Sequence, residues 1–209
     1  MPRPVTEVVT IPVQPDENLE QAIKRLKAIL SRQQGFQYLK WGRWVQEMNK
    51  VQLIIGWDDI SYHERFKQSD SDSTAAEAAL RPVLAGAPMS FHVYFDPIAL
   101  EEILEAPIVE VATFFSVPED YSYEAEIFLK LLGSFRGGLG FLHADVVENI
   151  SADGSDPKGR GLFVLLAWAS IDLHVQAKES DVIQSNLHLI KGEGKTNEIE
   201  WHYVTFTEP

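Results

Sequence analysis

The stretch WDDISYHERFKQSD, residues 57–70, recurs as WASIDLHVQAKESD, residues 168–181. Both copies follow the pattern W-x5-H-x3-K-x-S-D, and each comes directly after an apolar run, VQLIIG in the first and LFVLLA in the second. The five identities of this pattern, two of them in the rare residues Trp and His, indicate a duplication. The duplicated unit is about a hundred residues long, which is the size of a small domain.

The repeat extends in both directions from this stretch. Upstream, EVVT at residues 7–10 resembles EVAT at residues 110–113. Downstream, Phe-His resembles Trp-His: His92 lies 35 residues after the first tryptophan, and His202 lies 34 after the second. We therefore expect two units with the same order of elements, spanning residues 1–104 and 105–209.

The hydrophobic pattern within a unit predicts the order β-α-β-β-α-β. Residues 19–33 carry apolar side chains at helical spacing, and residues 51–57 alternate as a strand does. This order is the ferredoxin-like arrangement, an antiparallel sheet with helices on one face. We predict an α+β fold in which two tandem units form one intramolecular barrel by covering each other's bare sheet face. An insertion at residues 151–161, SADGSDPKGRG, predicts a long exposed hairpin loop.

Composition restricts the classes of partner and site. The chain has 209 residues, no cysteine and a formal net charge of −13. Disulfides, cysteine zinc sites and a thiol nucleophile are excluded. Because the chain is strongly acidic, it repels nucleic acid and anionic lipid, and we expect neither as a partner. No apolar run approaches the roughly 20 residues of a membrane helix, and MPRPVTEVV lacks a signal-peptide core; the expected location is cytoplasmic.

The repeated motif resembles the dimeric α+β barrel superfamily, and most closely its branch related to antibiotic biosynthesis monooxygenases (ABM). In that branch the third strand ends in a Trp, and an acidic or polar residue and a helical His follow. The corresponding residues here are Trp57, Asp58 and His63, then Trp168, Ser170 and His174. The run at residues 36–66 is especially similar to fungal tandem ABM-domain proteins. The resemblance implies a monomeric pseudo-dimer or a homodimer of it.

The same resemblance leaves the reaction open. The superfamily includes cofactor-free monooxygenases, haem-degrading enzymes, polyketide cyclases and decarboxylases, so the site must be argued from its residues. Histidine titrates near neutral pH and is the natural acid or base. We predict that His63 and His92 border one cavity, because the third strand, the following helix and the fourth strand lie close together. The alternative is that the helical His packs on the Trp.

Aromatic residues of the second strand are the next candidates. Tyr38 and Trp44 are predicted to share one strand face, and Trp41 and Arg43 the other. Such a wall suits a flat polycyclic ligand, although core packing explains it equally well. The second unit lacks these tryptophans, so we expect the chemistry in the first unit and a structural role for the second.

These considerations lead to a hypothesis of a cofactor-independent enzyme. It would act by acid/base chemistry (cyclisation, isomerisation, decarboxylation or dehydration) on a hydrophobic, aromatic or polyketide-like molecule. The predicted catalytic residues are His92, His63 and Tyr38. The predicted substrate-binding residues are Trp41, Trp44, Trp57, Arg43 and Tyr94. The second-unit counterparts are His174, His202, Trp168 and His143.

Other functions stay open at this point. One is a cofactor-free monooxygenase of the ABM type, a second is a non-catalytic small-molecule-binding or stress-related barrel, and a third is haem binding through a histidine. No cofactor is expected. No metal site is expected either, because His63 and Glu64 are adjacent on a helix and cannot both face one ion.

Overall fold

The computed structural model describes residues 2–15, 18–148, 150, 159–192, 194–196 and 198–209. Contacts divide the chain into two compact units. The first comprises the residues up to Tyr94 together with Thr207–Pro209, and the second is Phe95–Phe206. Among the described residues, no helix has the length and apolar character needed to cross a bilayer.

The first unit is a four-stranded antiparallel sheet with helices. Its strands are β1 (Val5–Pro12), β2 (Phe36–Arg43), β3 (Lys50–Trp57) and β4 (Met89–Val93). Its helices are α1 (Leu19–Leu30), α2 (Ile60–Gln68) and α3 (Asp70–Leu80), followed by the 3-10 turn Arg81–Val83. The strand order is β2-β3-β1-β4, and all neighbours are antiparallel.

The second unit repeats this plan. Its strands are β5 (Ile108–Val117), β6 (Gly138–Asp145), β7 (Arg160–Trp168) and β8 (Ile199–Val204), in the order β6-β7-β5-β8. Its helices are α4 (Pro97–Leu104), α5 (Tyr121–Gly133), α6 (Ile171–Lys178) and α7 (Asp181–Asn186), with the 3-10 turn Leu187–Leu189. The predicted α+β fold of two tandem ferredoxin-like units is confirmed.

The faces of the first sheet follow from strand alternation. The residues predicted to share a face do so and join the core under α1: Val51, Leu53, Ile55 and Trp57. The apolar side of α1 is buried against them, with Leu19, Ile23, Leu26 and Leu30 among its buried residues. The same alternation decides which polar residues of β1 and β4 also face the helices.

The unit boundaries differ from the predicted break after residue 104. Helix α4 groups with the second unit, whereas the last three residues group with the first. Trp41 and Thr207 exchange two backbone hydrogen bonds of 2.9 Å, which attach the C-terminus to β2. The predicted loop at residues 151–161 lies largely outside the described residues.

The Ser-Asp pair of the repeat begins the second helix of each helical pair. Ser69 accepts a hydrogen bond from the Asp72 backbone N–H at 3.4 Å, and Ser180 accepts one from the Ile183 N–H at 3.3 Å. A side-chain oxygen at this position satisfies an N–H group that the helix itself leaves without a partner. Helix capping therefore explains the serine of the repeat, and the aspartate after it lies in the first helical turn, where a negative charge is favourable.

Gly56 of β3 lies on the sheet face away from α1, and a substitution there tests the packing of that face. It is paired with Tyr38 of β2, and a Cβ at position 56 would lie 2.3 Å from Cε1 of that ring. We expect Gly56→Ala to destabilise the protein by roughly 1–3 kcal/mol, because overpacking displaces the ring. The second unit has Ala167 at this position, but there it faces Gly140.

The measurement is denaturant unfolding of Gly56→Ala, of Tyr38→Ala and of the double variant. Removing the ring should relieve most of the cost of the new methyl group, so the two changes should be strongly non-additive. Additive costs would show that the ring does not cause the strain.

Candidate active site

The Trp and His of the repeat stack on each other in both units. The ring centroids of Trp57 and His63 are 5.3 Å apart at 24°, and those of Trp168 and His174 are 4.7 Å apart at 28°. Each Trp ends a strand, and each His lies one helical turn into the following helix. All four side chains are buried. The contact holds each imidazole in a fixed orientation above the sheet.

A carboxyl group from the first strand of each unit faces this imidazole. Nε2 of His63 lies 3.4 Å from Oε1 of Glu7, and Nε2 of His174 lies 3.3 Å from Oε2 of Glu110. Neither glutamate is a candidate in the sequence prediction. Both glutamates are nevertheless the first residues of the repeated segments EVVT and EVAT.

The third member of each cluster differs between the units. Nδ1 of His63 is 2.7 Å from Nε2 of His92, whereas Nδ1 of His174 is 2.6 Å from Oη of Tyr203. Both partners occupy the position on the last strand directly opposite the glutamate. The first unit therefore has a Glu–His–His cluster and the second a Glu–His–Tyr cluster.

The pairing of His92 with His202 needs correction. His202 is opposite Val111 in the sheet, so it lies on the other face from Glu110 and His174. A slip of one residue along a strand turns a side chain to the opposite face. The offsets of 35 and 34 residues from the two tryptophans contained this information, because Tyr203 lies 35 residues after Trp168.

Each unit contains a cavity between its sheet and its helices. The first has a volume of about 450 Å³, and both Glu7 and His63 line it. The second has a volume of about 290 Å³, and Glu110 and His174 line it. The expectation that the second unit had only a structural role is not supported by this geometry, since it too presents a carboxyl–imidazole pair to an apolar space.

The predicted aromatic wall of the first unit does not form. Tyr38 covers Gly56 on the sheet face away from α1 and α2. Trp41 packs into the helix-side core, on the other face, but does not line the cavity. Trp44 follows β2, is buried, and has Lys50 Nζ 4.3 Å from its ring centroid.

The remaining predicted residues also lie outside the cavities. Arg43 donates a hydrogen bond to the backbone oxygen of Met48. Tyr94 packs at the core edge beneath the Arg3 guanidinium, 3.8 Å from its ring centroid. His143 stacks with Phe141 on β6, and burial lowers its pKa. Of the predicted residues, His63 lines the first-unit cavity, whereas His92, which shares a hydrogen bond with it, and Trp57, on which it stacks, are not among the lining residues.

Burial separates the proton affinities within the second cluster. It raises the pKa of Glu110 from 4.5 to about 7, although the nearby Lys178 opposes the rise. It lowers the pKa of His174 from 6.5 to about 4, and Lys178 adds to this effect. Burial and the neighbouring Glu110 raise the pKa of Tyr203. At neutral pH the imidazole is therefore uncharged and the phenol is protonated. Glu110 is present in both its protonated and its ionised form.

The two glutamates have different polar surroundings. Nε1 of Trp57 donates a hydrogen bond of 3.1 Å to Oε2 of Glu7. The equivalent Nε1 of Trp168 has no hydrogen-bond partner among the described residues. An ionised carboxyl is stabilised by each donor it accepts from. The missing indole contact fits the raised pKa of Glu110.

A lysine of the repeat lines each cavity one helical turn after the histidine. Lys67 and Lys178 are both exposed. In the second unit Lys178 Nζ lies 4.3 Å from the ring centroid of Trp201, which also lines the cavity and is 41% exposed. Positive charge and an aromatic surface therefore border the solvent side of the second cavity.

Comparison with known proteins is informative at the level of three-dimensional structure. No protein-family model matches the chain, and no curated protein matches it significantly in sequence. An anthrone oxidase-like protein has a similar structure, with a TM-score of 0.69 and 9% identity over 99% of this chain and 92% of its own. A protein from Fusobacterium nucleatum, provisionally assigned as a monooxygenase, has a TM-score of 0.58 and 11% identity over 97% and 91%.

A third similar structure is provisionally assigned as a chlorite dismutase. It has a TM-score of 0.58 and 13% identity, and the match covers 98% of this chain and 95% of its own. All three likenesses extend over both units. These likenesses show the fold alone, and the resemblance to the ABM-like branch, including its fungal members, stays a prediction.

Proposed function

We propose that the second unit is a cofactor-independent enzyme site that moves a proton on a small hydrophobic, aromatic molecule, with Glu110 as the acid and base. The observation that supports this proposal is a buried carboxyl group with a pKa of about 7 in the wall of an apolar cavity. General acid–base catalysis is most efficient when the pKa of the catalytic group lies near the working pH.

The cavity defines the ligand class. Its walls are largely apolar, with Phe114, Leu129 and Val164 among the lining residues. Its volume of about 290 Å³ lies at the lower end of the roughly 300–1,000 Å³ of ligand pockets. This size suits one or two fused rings. Lys178 and Lys191, both exposed, favour a ligand that carries or develops negative charge on oxygen.

The proposed step is proton transfer at a carbon next to a carbonyl group. The Glu110 carboxylate takes the proton as the C–H bond breaks, and the electron pair delocalises onto the carbonyl oxygen as an enolate. Return of the proton from the Glu110 carboxyl to another atom of the enolate completes an isomerisation. Atoms and charge balance without a cofactor.

His174 and Tyr203 position the carboxyl group in this scheme. In this scheme the protonated phenol, whose Oη is 2.6 Å from Nδ1 of His174, is the donor, so that the imidazole carries its proton on Nε2, 3.3 Å from Oε2 of Glu110. Because His174 is neutral at pH 7, it does not hold Glu110 in the ionised form by charge. A role in proton transfer for His63 and His92 of the first unit stays a prediction.

The test follows exchange of α-protons by NMR in D2O for a panel of bicyclic aromatic ketones. We expect the protein to accelerate deuterium incorporation, with a rate that rises as pH increases through about 7, where Glu110 becomes a base. The exchange rate of Glu110→Gln should be about 10²–10⁴-fold lower than that of the wild type, because this factor is the usual contribution of a general base. Tyr203→Phe should lower the exchange rate by a smaller factor and should shift its pH profile, because Tyr203 acts through His174.

Two controls separate this proposal from the alternatives. Glu179→Gln removes an exposed carboxyl group directly after α6, the helix that carries His174, and should leave the exchange rate unchanged. An oxygen electrode run with the same ketones should show no uptake. Oxygen consumption that depends on Glu110 would instead indicate a cofactor-free oxygenase. Binding without exchange or oxygen uptake would indicate a non-catalytic binding protein.

A further inference from the structure

The Glu–His–His cluster of the first unit has the composition of a metal site. Glu7, His63 and His92 come from β1, α2 and β4, and all three are buried. Each can offer one ligand atom, and these atoms lie within 4.8 Å of one another. We propose that this cluster binds one divalent transition-metal ion of the zinc type, independently of the proton transfer proposed for the second unit.

The ligand types support this assignment. Two imidazoles and one carboxylate are the protein ligands of many catalytic zinc sites, with a fourth position left for water or substrate. The same set in a facial arrangement suits ferrous iron. Glu7 and His63 line the cavity of about 450 Å³, so an ion held by them would face a space large enough for a ligand.

The separation of the two imidazoles is close to what an ion requires. Two nitrogens bound to one tetrahedral zinc at about 2.0–2.1 Å lie about 3.3 Å apart. Nδ1 of His63 and Nε2 of His92 are 2.7 Å apart and share a hydrogen bond. Replacing the shared proton by an ion therefore requires the two rings to separate by only about half an ångström, whereas the Glu7 carboxyl, which lies 3.4 Å from the other nitrogen of His63, must turn toward the ion.

Neighbouring groups hold the first-unit ligands in place. Trp57 Nε1–H donates to Oε2 of Glu7, and the other carboxyl oxygen lies 3.4 Å from Nε2 of His63. The imidazole of His63 stacks on the rings of Trp57 and Phe66, with centroid distances of 5.3 and 6.3 Å. Ligands fixed by an outer layer of contacts typically bind metal 10–100-fold more tightly than those without it.

The second unit is an internal control for this inference. Its cluster has Tyr203 in place of His92, and burial raises the pKa of that phenol, so it remains protonated and is a poor ligand at neutral pH. Its carboxyl group also lacks the indole donor, because Trp168 Nε1 has no partner among the described residues. Only the first unit should therefore bind the ion.

The experiment uses the full chain, freed of metal with EDTA and then equilibrated with zinc chloride. After desalting, we expect about one zinc per chain by elemental mass spectrometry. Cobalt in place of zinc should give the visible absorption of a four-coordinate site with nitrogen ligands. His92→Tyr copies the second-unit cluster, which makes it compatible with the fold, and should weaken zinc binding by more than about 100-fold, beyond the effect of an outer contact.

Further variants make the result decisive. Glu7→Gln keeps the shape of the side chain and should also abolish retention of zinc, whereas Glu110→Gln should bind zinc like the wild type. Circular dichroism checks that each variant is folded. Absence of zinc from the wild-type protein after desalting would overturn the proposal. Retention that is equal in the wild type, Glu7→Gln and His92→Tyr would overturn it too, since the metal would then lie elsewhere on this acidic protein.

Discussion

Glu110→Gln should become progressively more stable than the wild type as the pH rises from about 4.5 to 7. Burial raises the pKa of Glu110 from 4.5 in the unfolded chain to about 7 in the folded one. Between these values the folded state binds more protons, so the wild-type protein loses stability as the pH increases. A non-titrating glutamine removes that loss, which amounts to about 3 kcal/mol at about 1.4 kcal/mol per pH unit.

His174→Gln should show the opposite dependence. Burial lowers the pKa of His174 from 6.5 to about 4, so the unfolded state binds more protons in this range and the wild-type protein loses stability as the pH falls. The free energy of unfolding of the variant, relative to that of the wild type, should increase by about 3 kcal/mol as the pH falls from 6.5 to 4. In the wild-type protein the two dependences largely cancel between pH 4.5 and 6.5.

Denaturant unfolding at pH 4.5, 6.0 and 7.5, followed by tryptophan fluorescence and circular dichroism, measures both effects. The quantity of interest is the difference between variant and wild type at each pH, which removes the contribution of all other titrating groups. Glu179→Gln, on the exposed side of the same unit, should give a difference that does not change with pH. Flat differences for both Glu110→Gln and His174→Gln would show that the pair is not desolvated, and the proton-transfer proposal would lose its basis.

The fold could be predicted because the repeat and strand alternation are local patterns. Apolar residues at every second position of β3 identify the helix-covered face without any tertiary information. The packing of the helical His on the strand-end Trp follows from the short loop between them. The aromatic wall could not be placed from sequence, because alternation does not show which face holds the cavity or how far along β2 the cavity extends: Tyr38 covers Gly56 on the other face, and Trp41 packs against the core outside the lining.

The glutamates were missed for a different physical reason. A Glu within a β-branched strand ordinarily points to solvent, and nothing in the EVVT segment shows that the helix opposite will supply an imidazole. Only the pairing register places Glu7 opposite His92, and Glu110 opposite Tyr203. The expectation of no metal site rested on His63 and Glu64 of one helix, whereas Glu7, His63 and His92 come from three separate elements.

Trp57→Phe should destabilise the protein more than Trp168→Phe does, although both residues are fully buried and occupy equivalent positions. The loss of ring volume is the same in both. Trp57 also donates a hydrogen bond to the buried Glu7 carboxyl, and its loss should add about 1.5–3 kcal/mol if that group is ionised. The indole N–H of Trp168 has no partner among the described residues, so removing it relieves an unfavourable burial.

Unfolding free energies of the two variants, measured side by side at pH 7, test this asymmetry. Because each tryptophan stacks on the histidine of its own unit, the aromatic contact is conserved by phenylalanine in both cases and cancels in the comparison. Equal costs would show that the indole–carboxyl contact contributes nothing. A larger cost for Trp57→Phe, accompanied by zinc binding about 10–100-fold weaker than in the wild type, would connect the two observations: the same hydrogen bond that stabilises the first unit also holds its carboxyl group ready for an ion.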